Sequence, residues 1–363
     1  MGKNVVVCCD GTANEFATDH TNVLKVFRVL NNHADRQVAF YHPGLGTMEA
    51  AAALTSVARK ATKLLGLAVG YGLERDVGET YAFLMQQFEP GDTLFMLGFS
   101  RGAYTVRAVA SLLHMYGLLP AGNEPMIPYA IRMMSAVNRK KDGKAFELAE
   151  DFRGTFRGTV CKPHFVGVWD TVNSVGWIEN PLKLPYTASN SDIAIGRHAL
   201  AIDERRGFFR TNRWRPDPPE PNGGPKDLKQ VWFPGVHCDV GGGYPEADSG
   251  LSKYAFEWMV REAALAGLLV DRAKIDEVIG RVGTKYAKAD PDAKLHESLT
   301  IWWRPAELVP KKHWNWDKGR EERRMNLGRR RTIPPSPLVH AVAFERKMYT
   351  PPAGAIRVDT LPW

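Results

Sequence analysis

The sequence predicts an α/β fold in which a mainly parallel sheet carries helices on both faces. Short apolar runs with the length of buried strands alternate with segments that have apolar residues at helical spacing. The runs are rich in β-branched residues, which is typical of a parallel sheet with covered faces. Because crossovers between parallel strands are right-handed, the strands end at one edge of the sheet, and ligands bind along that edge.

The same patterns predict where each strand and helix begins and ends along the chain. The predicted strands are 4–9, 37–41, 93–97, 164–169 and 230–236. The predicted helices are 21–31, 73–88 and 103–116. We expect the polar and glycine-rich residues that directly follow each strand to lie at the ligand-binding edge.

A serine lies between the third predicted strand and the third predicted helix. The segment reads Gly98-Phe99-Ser100-Arg101-Gly102, and Gly-x-Ser-x-Gly in this setting is the pattern of a nucleophile elbow. Such a turn strains the backbone at the serine and requires glycine where a side chain would collide with neighbouring elements. It also aims the positive end of the helix at the hydroxyl. We predict that Ser100 is an activated nucleophile; the alternative is a tight turn that happens to hold a serine.

Candidate partners for Ser100 follow two later strands. Asp170 comes directly after strand 164–169, and His237 comes directly after strand 230–236. In α/β-hydrolases the catalytic residues follow one another along the chain in the order nucleophile, acid, histidine. His237 would take the proton of Ser100 and return it to the leaving group, while Asp170 would fix the imidazole tautomer. Taken singly, the aspartate and the histidine are better explained as turn residues, but their joint order favours a catalytic triad.

Asp203 is the rival acid. We expect it to lie on a helix, where a salt bridge with Arg205 or Arg206 is the simpler role. Asp170 is preferred because a strand end points toward the site.

An oxyanion hole requires backbone N–H groups beside the nucleophile. One is expected from Arg101, and the other from Gly11 or Thr12 in the loop after the first strand. Glycine there lets the backbone come close to a ligand. Asp10 in the same loop is otherwise explained as a cap of the next element.

Two further kinds of site are weaker alternatives at this edge. Asp10, Asp170, His237 and Asp239 could bind a hard cation, although nothing in their spacing requires it. The glycine-rich segment 240–244 lacks the spacing of a nucleotide-binding loop. We therefore predict a site without a metal or other cofactor.

Composition and net charge limit the kinds of binding partner that the sequence favours. Apolar residues make up 44% of the chain, which is enough for a full core, and the formal charge of +8 favours anionic partners. The basic run 318–331 is predicted to be a solvated loop, and nucleic acid is not an expected partner. We expect no secretory leader, and the sequence shows no apolar run of bilayer length, so we expect a cytoplasmic protein, with non-classical secretion left open.

The predicted catalytic domain spans 1–270, and an irregular extension, 271–363, is expected to pack on it. Two insertions are expected within the domain. Residues 48–70 are alanine-rich and amphipathic, as in a lid, an interfacial helix or a plain surface helix. Residues 120–156 include a methionine-containing stretch that would line an acyl pocket or, as we favour, belong to the core.

Several blocks together resemble a known family. They are Cys9-Asp10-Gly11-Thr12, Gly98-Phe99-Ser100-Arg101-Gly102-Ala103-Tyr104, Gly167-Val168-Trp169-Asp170-Thr171-Val172, Ala199 to Arg206 and Gly235-Val236-His237-Cys238-Asp239-Val240-Gly241-Gly242-Gly243-Tyr244. Over residues 3–253 the chain is similar to the uncharacterised α/β-hydrolase family that includes the type VI secretion phospholipase effectors. The resemblance implies an α/β-hydrolase core, a triad of Ser100, Asp170 and His237, and ester hydrolysis, with phospholipase A activity in the secreted members.

The sequence thus predicts a serine ester hydrolase of the lipase or phospholipase kind, with a Ser-His-Asp triad and a backbone oxyanion hole. A lipid or other ester is the expected substrate. Peripheral contact with a membrane and an adaptor or immunity protein are the candidate interactions. The alternative from another class is a non-catalytic lipid- or anion-binding module on the same fold.

Overall fold

A parallel sheet forms the centre of the protein. The computed structural model describes residues 2–11, 19–44, 61–140, 143–156, 158–172, 176–177, 180–181, 184–214, 223–316 and 318–363. The strands are β1 (Asn4–Cys9), β2 (Gln37–His42), β3 (Thr93–Phe99), β4 (Pro163–Trp169), β5 (Gly176–Trp177), β6 (Asn180–Pro181), β7 (Ile195–Ala201), β8 (Asp227–Phe233), β9 (Lys311–Asn315), β10 (Arg320–Arg324), β11 (Leu338–His340) and β12 (Ile356–Val358). The helices are α1 (Asn22–Val29), α2 (Ala61–Gln87), α3 (Ser100–Tyr116), α4 (Ile127–Lys140), α5 (Gly143–Phe156), α6 (His237–Gly241), α7 (Ser252–Leu265), α8 (Arg272–Val278), α9 (Arg304–Glu307) and α10 (Val342–Glu345).

The main sheet has eight strands in the order β12-β11-β8-β7-β4-β3-β1-β2, and each neighbouring pair is parallel. This confirms the predicted α/β class. After β2 the chain crosses to the other side of β1 to form β3, so the strand order changes direction between β1 and β3. The loops that leave the C-terminal ends of these two strands flank a crevice, which is where ligands bind in open parallel sheets.

Residues of β1 alternate between two hydrophobic clusters, one on each face of the sheet. Val5, Val7 and Cys9 belong to the cluster that includes residues of α2 to α5, whereas Val6 and Cys8 belong to the cluster with α1, α7 and α8. The pleat sends successive side chains to opposite faces, so a strand covered on both faces is apolar throughout. Helices therefore cover both faces, as predicted.

One strand of the sheet, β7, was not predicted from the sequence pattern. It lies between β4 and β8 and carries polar residues in buried positions. Arg197 is paired with Glu262 at 2.6 Å and with Asp227 at 2.7 Å, and His198 is fully buried. Asp203 follows this strand in a bend, so the prediction that it lies on a helix is wrong.

The segment 271–363 contributes to the sheet itself. β11 pairs with β8, β12 pairs with β11, and β9 and β10 form a separate antiparallel hairpin. β11 and β12 are three residues long, and prolines are frequent around them. Prolines are typical of irregular segments, which is why the sequence did not indicate these strands.

The two predicted insertions have different outcomes. Residues 48–60 lie outside the described residues, and 61–70 form the first part of α2, so the lid interpretation stays a prediction. Residues 120–156 include α4, which packs against α2 and α3, and α5, which packs against α3 and α4. Met133 and Met134 are buried in the core cluster, as the favoured interpretation has it. None of the described helices is both long and apolar enough to cross a bilayer.

Gly98 and Gly102 lie where the sheet and α3 approach closely. A Cβ at Gly98 would be 2.6 Å from the carbonyl oxygen of Gly102, and a Cβ at Gly102 would be 2.1 Å from the carbonyl oxygen of Cys9. Both obstacles are backbone atoms, which cannot rotate away as a side chain can. Any larger residue would push α3 off the sheet, as the sequence indicated.

We expect Gly102→Ala to lower the free energy of unfolding by about 2 kcal/mol or more, because the added methyl group overpacks a rigid contact. Gly154→Ala is the matched control, since a Cβ at Gly154 in α5 meets no atom within 4 Å. That change should be neutral or stabilise the helix by up to about 1 kcal/mol. Chemical denaturation compares the two, and equal stabilities would contradict the close packing.

Candidate active site

Ser100 lies at the turn from β3 into α3. Its φ is 57°, a left-handed conformation that residues with a side chain adopt rarely. The turn lies beside the loop after β1, because a Cβ on Gly11 would be 3.3 Å from the Cβ of Ser100. Arg101 is in the first turn of α3, where backbone N–H groups have no acceptor within the helix. The turn therefore has the geometry of a nucleophile elbow.

Asp10 organises the loop after β1. Its carboxylate accepts hydrogen bonds from the N–H of Gly11 at 2.7 Å, the hydroxyl of Thr21 at 2.5 Å and the hydroxyl of Tyr41 at 2.8 Å. The N–H of Gly11 is thus directed at Asp10, which does not support the prediction that it is an oxyanion donor. Thr12, the other predicted donor of this loop, lies outside the described residues.

Asp170 lies directly after β4, has a φ of 41° and is fully buried. Its Oδ2 is 2.6 Å from Nδ1 of His237. An ionised carboxylate can only accept, so Nδ1 carries the proton and Nε2 is left as the basic nitrogen. Oδ1 accepts from the backbone N–H of Ala201 at 3.1 Å. The structure therefore joins the aspartate and the histidine that the sequence singled out.

Arg331 supplies a positive charge to Asp170. Its Nη1 lies 2.5 Å from Oδ1 and its Nη2 lies 2.9 Å from Oδ2, and its side chain is 6% exposed. Burial acts to raise the pKa of Asp170, but the charge of Arg331 and the hydrogen bond from His237 outweigh burial and hold that pKa well below its usual range. Asp170 is therefore ionised at neutral pH.

His237 is the first residue of α6. Its ring contacts the rings of Phe99 and Phe209, with centroids 4.6 Å and 4.8 Å away. Because Phe99 directly precedes Ser100, this contact holds the imidazole next to the serine turn. Among the described residues, no hydrogen bond joins Ser100 to His237.

Glu204 fixes the backbone around His237. It accepts from the N–H of His237 at 3.2 Å, from Nη2 of Arg206 at 2.9 Å and from the hydroxyl of Ser298 at 2.8 Å. Burial acts to raise the pKa of Glu204, whereas Arg206 and then Arg331 lower it, to about 2. A second ionised carboxylate is therefore built into the surroundings of the histidine.

Asp203 has partners other than His237. Its Oδ2 accepts from the N–H of Gly235 at 2.8 Å and from the hydroxyl of Tyr349 at 2.9 Å. Its Oδ1 lies 3.2 Å from the guanidinium of Arg330. The salt-bridge partner is thus Arg330 and not the neighbouring arginines that the sequence indicated. These contacts give Asp203 a role in joining the end of β7 to the C-terminal segment.

Asp239 is paired with a different histidine. Its Oδ1 lies 2.6 Å from Nδ1 of His296, whose ring stacks on Tyr244 with centroids 3.7 Å apart. The described residues contain no group of three or more His, Cys, Asp and Glu placed to hold a metal ion. Within this part of the chain, the candidate cation ligands named from the sequence do not form one site.

Three residues around the Asp170–His237 pair were missed from the sequence. Arg331 belongs to a basic run that is typical of a solvated loop, and this interpretation is wrong for it, although its neighbour Arg330 is 63% exposed. Glu204 and Phe209 follow β7, so recognising that strand would have placed both at the site edge. No local pattern distinguishes Arg331 from the arginines beside it.

The fold and this site define the class of protein. A parallel sheet with a serine at a strained strand-to-helix turn, and a buried Asp–His pair at the same edge, is typical of α/β-hydrolases. Residues 3–262 match the family described as the catalytic domain of Tle1-like phospholipase effectors of type VI secretion. The chain belongs to this family.

Similar proteins include one curated relative and two solved structures. The uncharacterized protein YEL023C of Saccharomyces cerevisiae is 35% identical over 229 residues, covering 60% of this chain and 33% of the yeast protein. An uncharacterized protein from Pseudomonas aeruginosa has a TM-score of 0.42 at 17% identity, covering 76% of this chain and 47% of that one. The Tle1 effector bound to the VgrG spike from the type VI secretion system has a TM-score of 0.34 at 17% identity, covering 69% and 52%. The match to the yeast protein spans about a third of that relative's length.

Proposed function

We propose that the chain is a serine hydrolase of carboxylic esters, with Ser100 as nucleophile, His237 as general base and Asp170 as the acid that orients it. The observation that carries the proposal is the buried 2.6 Å contact between Asp170 and His237. It lies at the edge of the sheet where Ser100 occupies a strained turn. Membership in a family of phospholipase effectors supports phospholipids as the substrate class. We propose phospholipase A activity in particular, and the charge of +8 suits an anionic lipid surface.

The first half of the reaction forms an acyl-enzyme. Oγ of Ser100 attacks the ester carbonyl carbon while its proton passes to Nε2 of His237. The ionised Asp170, bonded to Nδ1–H, stabilises the imidazolium that results. His237 then gives the proton to the leaving alcohol. The hydrogen bond between Ser100 and His237 that this step requires often tightens only when substrate is bound.

The second half releases the acid. His237 removes a proton from water, which attacks the acyl carbon, and the proton returns to Ser100 as the carboxylic acid leaves. The negative charge on the tetrahedral oxygen would be met by the N–H of Arg101 at the start of α3. Since the N–H of Gly11 is bound to Asp10, Thr12 is the donor that we propose from the loop after β1.

Substrate delivery and partners are further parts of the proposal. Peripheral contact with a membrane would bring a lipid ester to the site, and an adaptor or immunity protein is the expected protein partner. A cytoplasmic location and non-classical secretion stay predictions from the sequence.

We expect a fluorophosphonate probe to label the protein through Ser100, because the probe reacts with a serine whose hydroxyl is activated by a base. Ser100→Ala should abolish labelling and lower esterase turnover by about 10⁴-fold or more. Ser111→Ala is the matched control, since Ser111 is buried in the same helix and donates to the carbonyl oxygen of Arg107 at 2.8 Å. In-gel fluorescence compares the three proteins.

Folded wild-type protein that stays unlabelled, also with added detergent or lipid to open a lid, would contradict the proposal. It would instead favour the alternative of a non-catalytic binding module on the same fold.

We expect Asp170→Asn to lower kcat for a short-chain ester by about 10³- to 10⁴-fold, because an amide no longer fixes the imidazole tautomer or balances its charge. Asp203→Asn is the control, since both carboxylates are buried but only Asp170 contacts His237. It should keep kcat within about 10-fold. Steady-state kinetics decide between the two acids, and a larger loss in Asp203→Asn would overturn the assignment of Asp170.

A further inference from the structure

The second partner of Asp170 comes from a distant part of the chain. Arg331 lies 161 residues after Asp170 and binds both carboxylate oxygens, at 2.5 Å and 2.9 Å. Its side chain is 6% exposed, against 63% for Arg330. A planar guanidinium that meets both oxygens fixes the plane of a carboxylate as well as its charge.

The same guanidinium also holds the segment that contacts His237. Its Nε donates to the carbonyl oxygen of Phe209 at 2.8 Å, and Nη2 donates to the same oxygen. Nη1 also donates to the carbonyl oxygen of Ala201 at 3.3 Å. Because the ring of Phe209 packs on His237, Arg331 acts on both members of the Asp170–His237 pair.

The backbone that carries Arg331 is itself fixed to the core. Nδ2 of Asn326 donates to the carbonyl oxygen of Arg205 at 2.6 Å, and Nε of Arg205 donates to the carbonyl oxygen of Gly328 at 2.8 Å. Glu307 accepts from the N–H of Gly207 at 2.6 Å and from the N–H of Gly328 at 3.1 Å. These bonds place segment 326–331 along the loop that follows β7.

The other titratable groups near Asp170 do not supply its countercharge. Burial holds the pKa of His198 well below its usual value, so this ring is neutral. Burial raises the pKa of the Cys238 thiol to about 12, so it is neutral as well. Glu204 is negative and is neutralised by Arg206. Arg331 is therefore the fixed positive charge on the Asp170–His237 pair among the described residues.

We propose that Arg331 is a positioning residue of the active site, and that segment 326–331, beyond the family-matched residues 3–262, completes that site. This inference rests on the proposed function. A buried carboxylate without a counter-ion costs much free energy and tends to take up a proton. Bound by Arg331, it stays charged and faces Nδ1 of His237.

The test is the rate of fluorophosphonate labelling against pH for full-length wild type, Arg331→Met and Arg331→Lys. Arg323→Gln is the control, because it removes one positive charge from an exposed position of the basic run 318–331 that lies outside segment 326–331. We expect labelling of Arg331→Met at neutral pH to be about 10- to 100-fold slower than wild type, as for other residues that orient a reactive group. Arg331→Lys, which keeps the charge and loses the two-pronged contact, should lie between them.

The pH dependence separates positioning from a purely structural role. Removal of the guanidinium takes a positive charge away from a coupled pair, so the pair binds protons more tightly and the acid limb of the profile moves to higher pH. A purely structural ion pair would lower the melting temperature and leave the profile of the folded protein unchanged. That outcome, or wild-type rates in Arg331→Met, would overturn the inference.

Two further outcomes complete the test. If Arg331→Met does not fold, Arg331→Lys decides, and a wild-type rate and profile in that variant would overturn the inference. If folded wild type is not labelled at all, the proposed function itself fails, which is distinguishable from failure of the role of Arg331.

Discussion

A single buried charge, the carboxylate of Asp170, is the constraint on which the site depends. An ion removed from water is stable in a protein interior only if its hydrogen-bonding capacity is filled and its charge is balanced. Here His237, Arg331 and the backbone N–H of Ala201 do this together. Because these donors come from α6, the C-terminal segment and β7, one carboxylate fixes the relative positions of three distant parts of the chain.

The sheet explains why those parts can meet. Each parallel strand delivers the residue that follows it to the same edge, and the change in strand order between β1 and β3 opens a crevice there. Ser100 and Asp170 both have positive φ values at strand ends. Each of these backbone conformations costs on the order of 1–3 kcal/mol of strain. Such strain persists where the surroundings allow no other conformation. Beside Ser100, the close backbone contacts of Gly98 and Gly102 impose this restriction.

The sequence predicted the elements whose signals are local. The five predicted strands begin within three residues of the first residues of β1, β2, β3, β4 and β8, because buried parallel strands are continuous apolar runs. The chain order of Ser100, Asp170 and His237 predicted which residues lie at the edge of the sheet. The sequence pattern missed β7, whose buried Arg197 and His198 interrupt the apolar pattern, and it placed Asp203 on a helix. The role of Arg331 depends on a contact across 161 residues, which no local pattern encodes.

The most direct measurement of the central contact is the proton NMR spectrum of the imidazole N–H groups. A short hydrogen bond between Nδ1–H of His237 and an ionised carboxylate predicts a far-downfield resonance that is present in wild type and lost in Asp170→Asn. It should persist in His296→Gln, which removes the 2.6 Å contact between His296 and Asp239. A folded wild-type protein without this resonance, or one that keeps it unchanged in Asp170→Asn, would contradict the account.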